Sequence, residues 1–435
     1  MSFLLKFTES KKGFLKNIQN AGLYFSGSIV QALFALITQP IYSKYLSAPE
    51  FGILGYFEAV KSFFTPAFTL TMMAVYLMHY FRQDEQENKK LLFNITFHLL
   101  IINTFSVFIG YVGIYLYFTS LDIKIPLNPF AWYILIALLL DNIKHIVLIN
   151  FRIRKKAFSF FILSVITTLL NVGIGLLFVA VFKWGAEGRM LAPIISTIIL
   201  VPYCLHIIRK YTVFYVNFKN FAENLRIAFP LVLAAYAYVP ISNIDRIFLE
   251  RLNNISELGL YNIGITIAGY IQLAYTALAL AFEPDVFQSV AQKNYKKLFQ
   301  LFLVMFIPYL AAVLIFIILS GSIVNILTAG RYLGAQVYTN IAIISVFISG
   351  VYWFFDKTLI ALGKTKLNLY INIIGGLSSL IVMYCAVTNY GFIGAAYGKI
   401  LLSLLIAAIA GYFTLKTIYS DAVDCTPRIG QNMLE

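Results

Sequence analysis

The stretch ALLLDNIKHIVLINF runs from Ala137 to Phe151 and is apolar over most of its length. Asp141, Lys144 and His145 interrupt its centre. A charged side chain at the middle of a membrane-spanning helix costs roughly 2.5–3.5 kcal/mol or more, so such residues are rare and usually functional. The stretch therefore predicts a membrane helix that carries a polar site.

The composition of the whole chain is typical of a membrane protein. Of 435 residues, 60% are hydrophobic and only 12% are charged, whereas soluble domains have about 25% charged residues. A soluble fold of this size could not bury so many apolar side chains, but lipid can surround them. We expect the basic residues behind the formal net charge of +14 to face anionic lipid headgroups rather than nucleic acid.

Twelve apolar segments are long enough to cross a bilayer, which takes about 20 residues. They lie near residues 19–45, 51–80, 91–118, 130–150, 158–182, 187–208, 227–249, 257–282, 298–320, 333–355, 367–388 and 392–416. The basic start of the chain leads directly into the first segment, so we expect that helix to be retained rather than cleaved as a signal peptide. The sequence therefore predicts an all-α polytopic membrane protein.

The distribution of Lys and Arg predicts the orientation of these segments. Most basic residues fall at the N-terminus, in every second loop and at the C-terminus. Because basic residues concentrate in cytoplasmic loops, this pattern places those loops inside the cell. We therefore expect both termini to be cytoplasmic.

Short motifs from the first half of the chain recur in the second half. The matched pairs are EFG 50–52 with ELG 257–259, KKL 89–91 with KKL 296–298, and, at a spacing one residue shorter, Gly185 and Gly188 with Gly391 and Gly394. Six spans followed by six more keep the same orientation, so the halves would be parallel repeats about an axis along the membrane normal. This predicts two six-helix lobes, residues 1–215 and 216–435, that alternate access to a cavity.

Two charged pairs lie inside the predicted second and fourth spans. Glu58 with Lys61 and Asp141 with Lys144 are three residues apart, which places each pair on one helix face. The equivalent positions of the second half are apolar. Two interpretations stay open. Each pair could neutralise itself and only stabilise the bundle, or the lysines could hold an anion in a cavity while an acid takes a proton or Na⁺.

Further candidates lie in the second half. Asp245 and Arg246 form a third charged pair near the outer end of the seventh span, and Lys399 is an unpaired base in the twelfth. Lys399 could instead extend towards the outer interface. Some tyrosines could stack on sugar rings or form an interfacial belt; they are Tyr236, Tyr238, Tyr270 and Tyr275.

No motif predicts a cofactor, a metal ion or catalysis. The three cysteines and four histidines have no metal-ligand spacing. The run GAAYGKI, residues 394–400, lacks the Ser or Thr that follows the lysine of a phosphate-binding loop, and no strand precedes it. The loops outside the membrane are short, which argues against an enzyme that carries catalytic groups there.

Several stretches resemble the polysaccharide-biosynthesis flippases of the multidrug/oligosaccharidyl-lipid/polysaccharide exporter superfamily. They are PIYSKYLSAPEFGILGY (40–56), NIDRIFLERLNNISELGLYNI (243–263) and PDVFQSVAQKN (284–294). The resemblance covers nearly the whole chain. The twelve predicted spans fit it better than they fit the fourteen-span flippase of peptidoglycan precursors.

The resemblance implies a function and a substrate class, and the charged residues described above are the candidate site for that substrate. The substrate would be an undecaprenyl-diphosphate-linked oligosaccharide of an O-antigen or capsule pathway, moved across the inner membrane by antiport with H⁺ or Na⁺. A glycan polymerase and a chain-length protein would be partners. The diphosphate would be held by Lys61, Lys144, Arg246 and Lys399, with charge balance and ion coupling from Glu58, Asp141 and Asp245.

Three other functions stay open at this point. A multidrug-type exporter of the same superfamily would prefer an acid-rich cavity for cationic drugs, whereas this candidate site has more bases than acids. A membrane-bound glycan polymerase or ligase would need an external catalytic loop. A scaffold for a glycan assembly complex would tolerate loss of the charged residues.

Overall fold

The computed structural model describes residue 27 and residues 29–424, and the regular secondary structure of this part is helical. The helices are α1 (29–45), α2 (Ala48–Thr69), α3 (Met72–Tyr80), α4 (Glu85–Ser120), α5 (Phe130–Ile153), α6 (Ala157–Leu176), α7 (Gly185–Lys210), α8 (Phe218–Glu250), α9 (Ile255–Ala291), α10 (Tyr295–Leu327), α11 (Ala335–Ala361) and α12 (Thr365–Asp424). A π-helical turn, Leu177–Val181, extends α6.

The prediction of a polytopic helical membrane protein is confirmed. Within the described residues, eight helices are long and apolar enough to cross a bilayer, and α2 with α3 makes a ninth if this pair, bent by 42°, is one span. The predicted eleventh and twelfth spans form the single helix α12, which Gly391 breaks with φ 60° and ψ −138°. The first predicted span, 19–45, lies partly outside the described residues. The count of twelve and the orientation of the termini stay predictions.

The start of α2 shows how local sequence places the first charged residues. The Glu50 carboxylate accepts hydrogen bonds from the backbone N–H and the hydroxyl of Ser47, each at 2.7 Å. Such a capping interaction satisfies donors that the first helical turn leaves open. The helix then ends where Leu70 and Thr71 take left-handed backbone angles. Glu58 and Lys61 therefore lie on a helix whose start is defined by the Ser47–Glu50 cap and whose end is defined by the left-handed residues.

The repeated EFG and ELG motifs contact each other. A Cβ atom on Gly52 would lie 2.4 Å from the Ile255 carbonyl oxygen, and one on Gly259 would lie 1.8 Å from the Ala48 carbonyl oxygen. Asn262 also donates a hydrogen bond to the Phe51 carbonyl oxygen at 2.9 Å. The two glycines are needed because the first turns of α2 and α9 approach at backbone distance.

The described chain divides into two compact units. The first contains the residues up to Tyr236 together with Glu250–Asn262 and Asn325–Tyr332, and the second contains Ala237–Leu249, Ile263–Val324 and the residues from Leu333 onwards. The core of the first unit is built around residues of α3, α4, α5 and α7. That of the second is rich in aromatic residues of α9, α10 and α11. The lobe boundary at 215/216 and the two-fold relation stay predictions.

Candidate functional site

Two lysines converge on one carboxylate in the first unit. Lys144, one turn after Asp141 on α5, donates a hydrogen bond to its Oδ1 at 2.7 Å. Lys61 of α2 places its Nζ 3.7 Å from the Asp141 Oδ2. The side chains of Lys61, Lys144 and Asp141 are 23%, 18% and 32% exposed, so all three are partly accessible. We call these three residues the lysine cluster.

A buried amide holds α5 against α2 beside the lysine cluster. Asn142 donates a hydrogen bond through Nδ2 to the Phe68 carbonyl oxygen at 2.7 Å, and the Asn142 side chain is buried. This carbonyl lies in the last turn of α2, just before the chain bends into α3. The contact therefore sets the register in which Lys61 meets Asp141, although the two residues are far apart in sequence.

The interpretation in which each acid pairs with the base on its own helix holds for Asp141 with Lys144 but not for Glu58 with Lys61. Lys61 pairs with Asp141 instead, and Glu58 is exposed. Within residues 29–424, no acidic or basic side chain forms an ion pair with Glu58. The lysine cluster thus contains two ammonium groups and one carboxylate, which leaves one positive charge in excess.

A second ion pair is buried in the second unit. Lys399 of α12 places its Nζ 2.9 Å from the Asp245 Oδ2 and donates a hydrogen bond to the Ser242 carbonyl oxygen at 3.2 Å. The side chains of Asp245 and Lys399 are only 1% and 15% exposed. Lys399 is therefore not an unpaired base, and its partner is the aspartate that the sequence analysis paired with Arg246. The two charges cancel, unlike those of the lysine cluster.

Arg246 lies beside this pair and has a different partner. One of its terminal nitrogens donates a hydrogen bond to the Asn243 Oδ1 at 3.1 Å. In the described part of the chain, the Arg246 Nε is buried and has no hydrogen-bond partner. Arg246 thus keeps a donor for another acceptor, whereas the Lys399 ammonium is already engaged.

The structure separates the predicted site residues into two groups. Lys61, Lys144 and Asp141 meet in the first unit, while Asp245 and Lys399 meet in the second. Among the residues that the structure describes, no group of three or more His, Cys, Asp and Glu side chains could hold a metal ion. The roles of these residues in transport stay predictions.

Similarity to known proteins shows the family. A family model described as "Polysaccharide biosynthesis protein" matches residues 18–289, more than half of the chain. The chain belongs to the polysaccharide biosynthesis protein family. A second model, MatE, matches residues 230–385. Both matches agree with the superfamily that the sequence motifs resemble.

One curated relative and two solved structures extend this result. "Lsg locus putative protein 1" of Haemophilus influenzae is 24% identical over 367 residues, which are 81% of this chain and 87% of that protein. An inward-facing multidrug resistance MATE family transporter has a TM-score of 0.71 at 13% identity, covering 93% of this chain and 99% of that one. The lipid II flippase MurJ, in an inward closed conformation, has a TM-score of 0.71 at 17% identity, covering 92% and 90%. At these identities the solved structures show a shared fold.

Sequence reasoning missed most of a cavity in the second unit of this polysaccharide biosynthesis family member. Its lining includes Tyr238 and Tyr275, which were candidates, but also Gln272, Ser349 and Trp353. These residues come from separate apolar helices, and each alone is an ordinary residue of a membrane span. Only the tertiary structure shows that these residues line one cavity, so the sequence contained no signal for them.

Proposed function

We propose that this protein is a flippase that moves undecaprenyl-diphosphate-linked oligosaccharide units from the cytoplasmic to the outer face of the inner membrane. Both termini would be cytoplasmic, and access to the site would alternate between the two faces. The family match and the MurJ-like fold support this class of substrate. A glycan polymerase and a chain-length protein would be partners on the same pathway.

The lysine cluster carries the proposal. Two ammonium groups share one carboxylate, so a diphosphate that enters would meet a net positive site rather than a neutral one. For unit charges 4 Å apart, the attraction is about 4 kcal/mol at an effective dielectric constant of 20, before desolvation. Asp141 would compete with the diphosphate for both lysines. This competition would keep the affinity low enough for release.

The remaining charged residues would have secondary roles. The buried Arg246 Nε would offer one more donor to a phosphate oxygen. Lys399 would do so only after leaving Asp245, so this pair would exchange partners during the transport cycle. Glu58, an exposed carboxylate one turn from Lys61, would take up the coupling H⁺ or Na⁺.

Transport in sealed proteoliposomes tests the proposal. A prenyl-diphosphate oligosaccharide is placed in the inner leaflet, and its appearance outside is followed with a lectin, with and without a pH or Na⁺ gradient. We expect gradient-dependent exposure by the wild type and its loss in Lys144→Gln and Lys61→Gln.

A matched control comes from the surface. Lys90 pairs with Glu87 three residues away at 2.8 Å, the same arrangement as Lys144 with Asp141, but in an exposed position. Lys90→Gln should transport like the wild type. The proposal would be contradicted if folded wild-type protein, tested with several donor glycans, gave no more lectin-detected oligosaccharide outside than protein-free liposomes do.

A multidrug-type exporter is the second candidate. The MatE match to residues 230–385 favours it, and the exposed Glu58 could attract an organic cation. Loading the same liposomes with ethidium, and following its export, distinguishes the flippase from the exporter. Gradient-driven ethidium export that is abolished by Glu58→Gln, without lectin-detected exposure, would establish the exporter.

A further inference from the structure

A cavity of about 110 Å³ lies within the second unit, between α8, α9, α11 and the C-terminal arm of α12. This is room for roughly seven to eleven water molecules, since each needs about 10–15 Å³ of such space. The cavity therefore fits one sugar ring rather than a long chain. It lies outside the lysine cluster, which belongs to the first unit.

Part of the cavity lining is aromatic. Tyr238, Tyr275, Tyr352 and Trp353 contribute to its lining. Tyr275 and Trp353 meet edge to face, with ring centroids 6.0 Å apart, and the Tyr275 hydroxyl donates to the Gly350 carbonyl oxygen at 2.7 Å. The electron-rich faces of such rings attract the slightly positive C–H groups on one face of a pyranose.

Other lining residues supply hydrogen-bonding groups. Ser403 shares hydrogen bonds with Ser345 at 2.8 Å and with Ser349 at 3.3 Å, and both Ser349 and Ser403 line the cavity. The exposed side chains of Gln272 and Thr276 add an amide and a hydroxyl. Hydroxyls and amides both donate and accept, as sugar hydroxyls require.

The cavity offers no formal charge to a ligand. None of the described side chains that line it is an acid or a base. A cationic drug would find no carboxylate there, and a diphosphate would find no ammonium group. A purely apolar molecule would make no use of the serine hydroxyls and the Gln272 amide, whereas a sugar hydroxyl can pair with them.

We propose that this cavity binds one uncharged sugar ring of the lipid-linked substrate. This inference rests on the proposed function, and it divides recognition into two parts. The lysine cluster binds the charge that all such substrates share. The cavity, which we call the sugar cavity, selects which glycan is transported.

Trp353 makes the sugar cavity observable. The chain has three tryptophans, so Trp132→Phe with Trp184→Phe leaves Trp353 as the only one. This full-length protein, in lipid nanodiscs, is titrated with methyl glycosides of glucose, galactose, mannose and N-acetylglucosamine. We expect at least one glycoside to change the Trp353 emission in a saturable way, and tetraphenylphosphonium, a cationic probe, to have no such effect.

Variants of exposed residues test the site without disturbing the core. Removal of one stacking ring in Tyr238→Ala should weaken the apparent affinity roughly two- to tenfold, equivalent to about 0.4–1.4 kcal/mol. Gln272→Ala should weaken it as well. Tyr384→Ala is the control, since Tyr384 is exposed in the same unit but does not line the cavity.

Binding of tritiated farnesyl diphosphate, measured on the same samples, separates the two proposals. If this probe binds through Lys61 and Lys144 but no glycoside changes the Trp353 emission, the sugar cavity is wrong and the proposed function stands. If tetraphenylphosphonium alone changes the emission, the cavity holds a drug-like cation instead. If a glycoside binds but farnesyl diphosphate does not, the proposed diphosphate site fails.

Discussion

The lysine cluster and the Asp245–Lys399 pair are both ion pairs within predicted spans, yet they differ in charge balance and in exposure. The lysine cluster is partly accessible and has one ammonium group in excess. The Asp245–Lys399 pair is neutral, and its carboxylate is almost completely buried. An excess charge near an accessible surface can attract a ligand, whereas a neutralised buried pair mainly holds two helices together. Our proposal that an anion binds first at the lysine cluster rests on this difference.

The largest expected effect is on stability, in the second unit. Lys399→Met removes the ammonium group 2.9 Å from the almost completely buried Asp245 carboxylate, and breaking a buried ion pair costs about 3–5 kcal/mol. Lys61→Met should cost no more than about 1 kcal/mol, because Asp141 keeps Lys144 and is partly solvated. Chemical unfolding in mixed micelles, followed by circular dichroism, measures both. Replacing both partners, Asp245→Leu with Lys399→Met, should recover most of the loss. Equal losses of unfolding free energy for Lys399→Met and Lys61→Met would show that the buried pair and the lysine cluster contribute equally to stability.

The next effect is on anion binding, in the first unit. A hydrogen bond to a charged group contributes about 1.5–3 kcal/mol, so Lys61→Gln and Lys144→Gln should each weaken farnesyl diphosphate binding roughly 10- to 100-fold. Lys399→Gln should have a smaller effect, because Asp245 already engages that ammonium group. Scintillation proximity binding to nanodiscs provides the comparison. If Lys399→Gln had the larger effect on a folded sample, the primary anion site would lie in the second unit.

Asp141→Asn should strengthen binding and slow transport. The substitution removes the carboxylate that competes with the diphosphate for the two lysines, and we expect an affinity gain of roughly tenfold, equivalent to about 1.4 kcal/mol. Release would then limit turnover. Equilibrium binding of farnesyl diphosphate and the rate of lectin-detected exposure are measured on one preparation. Weaker binding in this variant would show that Asp141 positions the lysines rather than competing with substrate.

Glu58→Gln should have the smallest effect on the folded protein. Glu58 is exposed, so the stability should change by no more than about 0.5 kcal/mol. We expect the variant still to move lipid-linked oligosaccharide down its own concentration gradient. A pH or Na⁺ gradient should no longer change the rate of this movement. Glu87→Gln, which alters an exposed carboxylate of α4, is the control. An unchanged response of Glu58→Gln to both gradients would exclude Glu58 as the coupling residue.

Much of the fold could be predicted because a membrane imposes strong local rules. Apolar segments of sufficient length predicted most helices, and the gap between the predicted spans 367–388 and 392–416 contains Gly391, where α12 breaks. The sequence also marked Asp141, Lys144 and Lys61 as unusual, since charged residues inside spans are rare. Spacing indicated the Asp141–Lys144 pair because both residues lie on α5. The partner of Lys61 could not be predicted, because spacing on one helix reports only on that helix. Lys61 thus pairs across to α5 instead of with Glu58 one turn away.

The amino-acid sequence by itself determined that this protein is a helical membrane protein, which family it belongs to, and which ionisable residues lie at unusual positions. These properties follow from composition, hydropathy and short motifs, all of which are local along the chain. The tertiary structure decided which charges cancel and which remain. Lys399 is neutralised because α12 brings it to Asp245, and Lys61 joins Lys144 because Asn142 fixes α5 against α2. The physical reason is that electrostatic and hydrogen-bonding partners are selected by distance in space, which helix packing sets and local sequence does not contain.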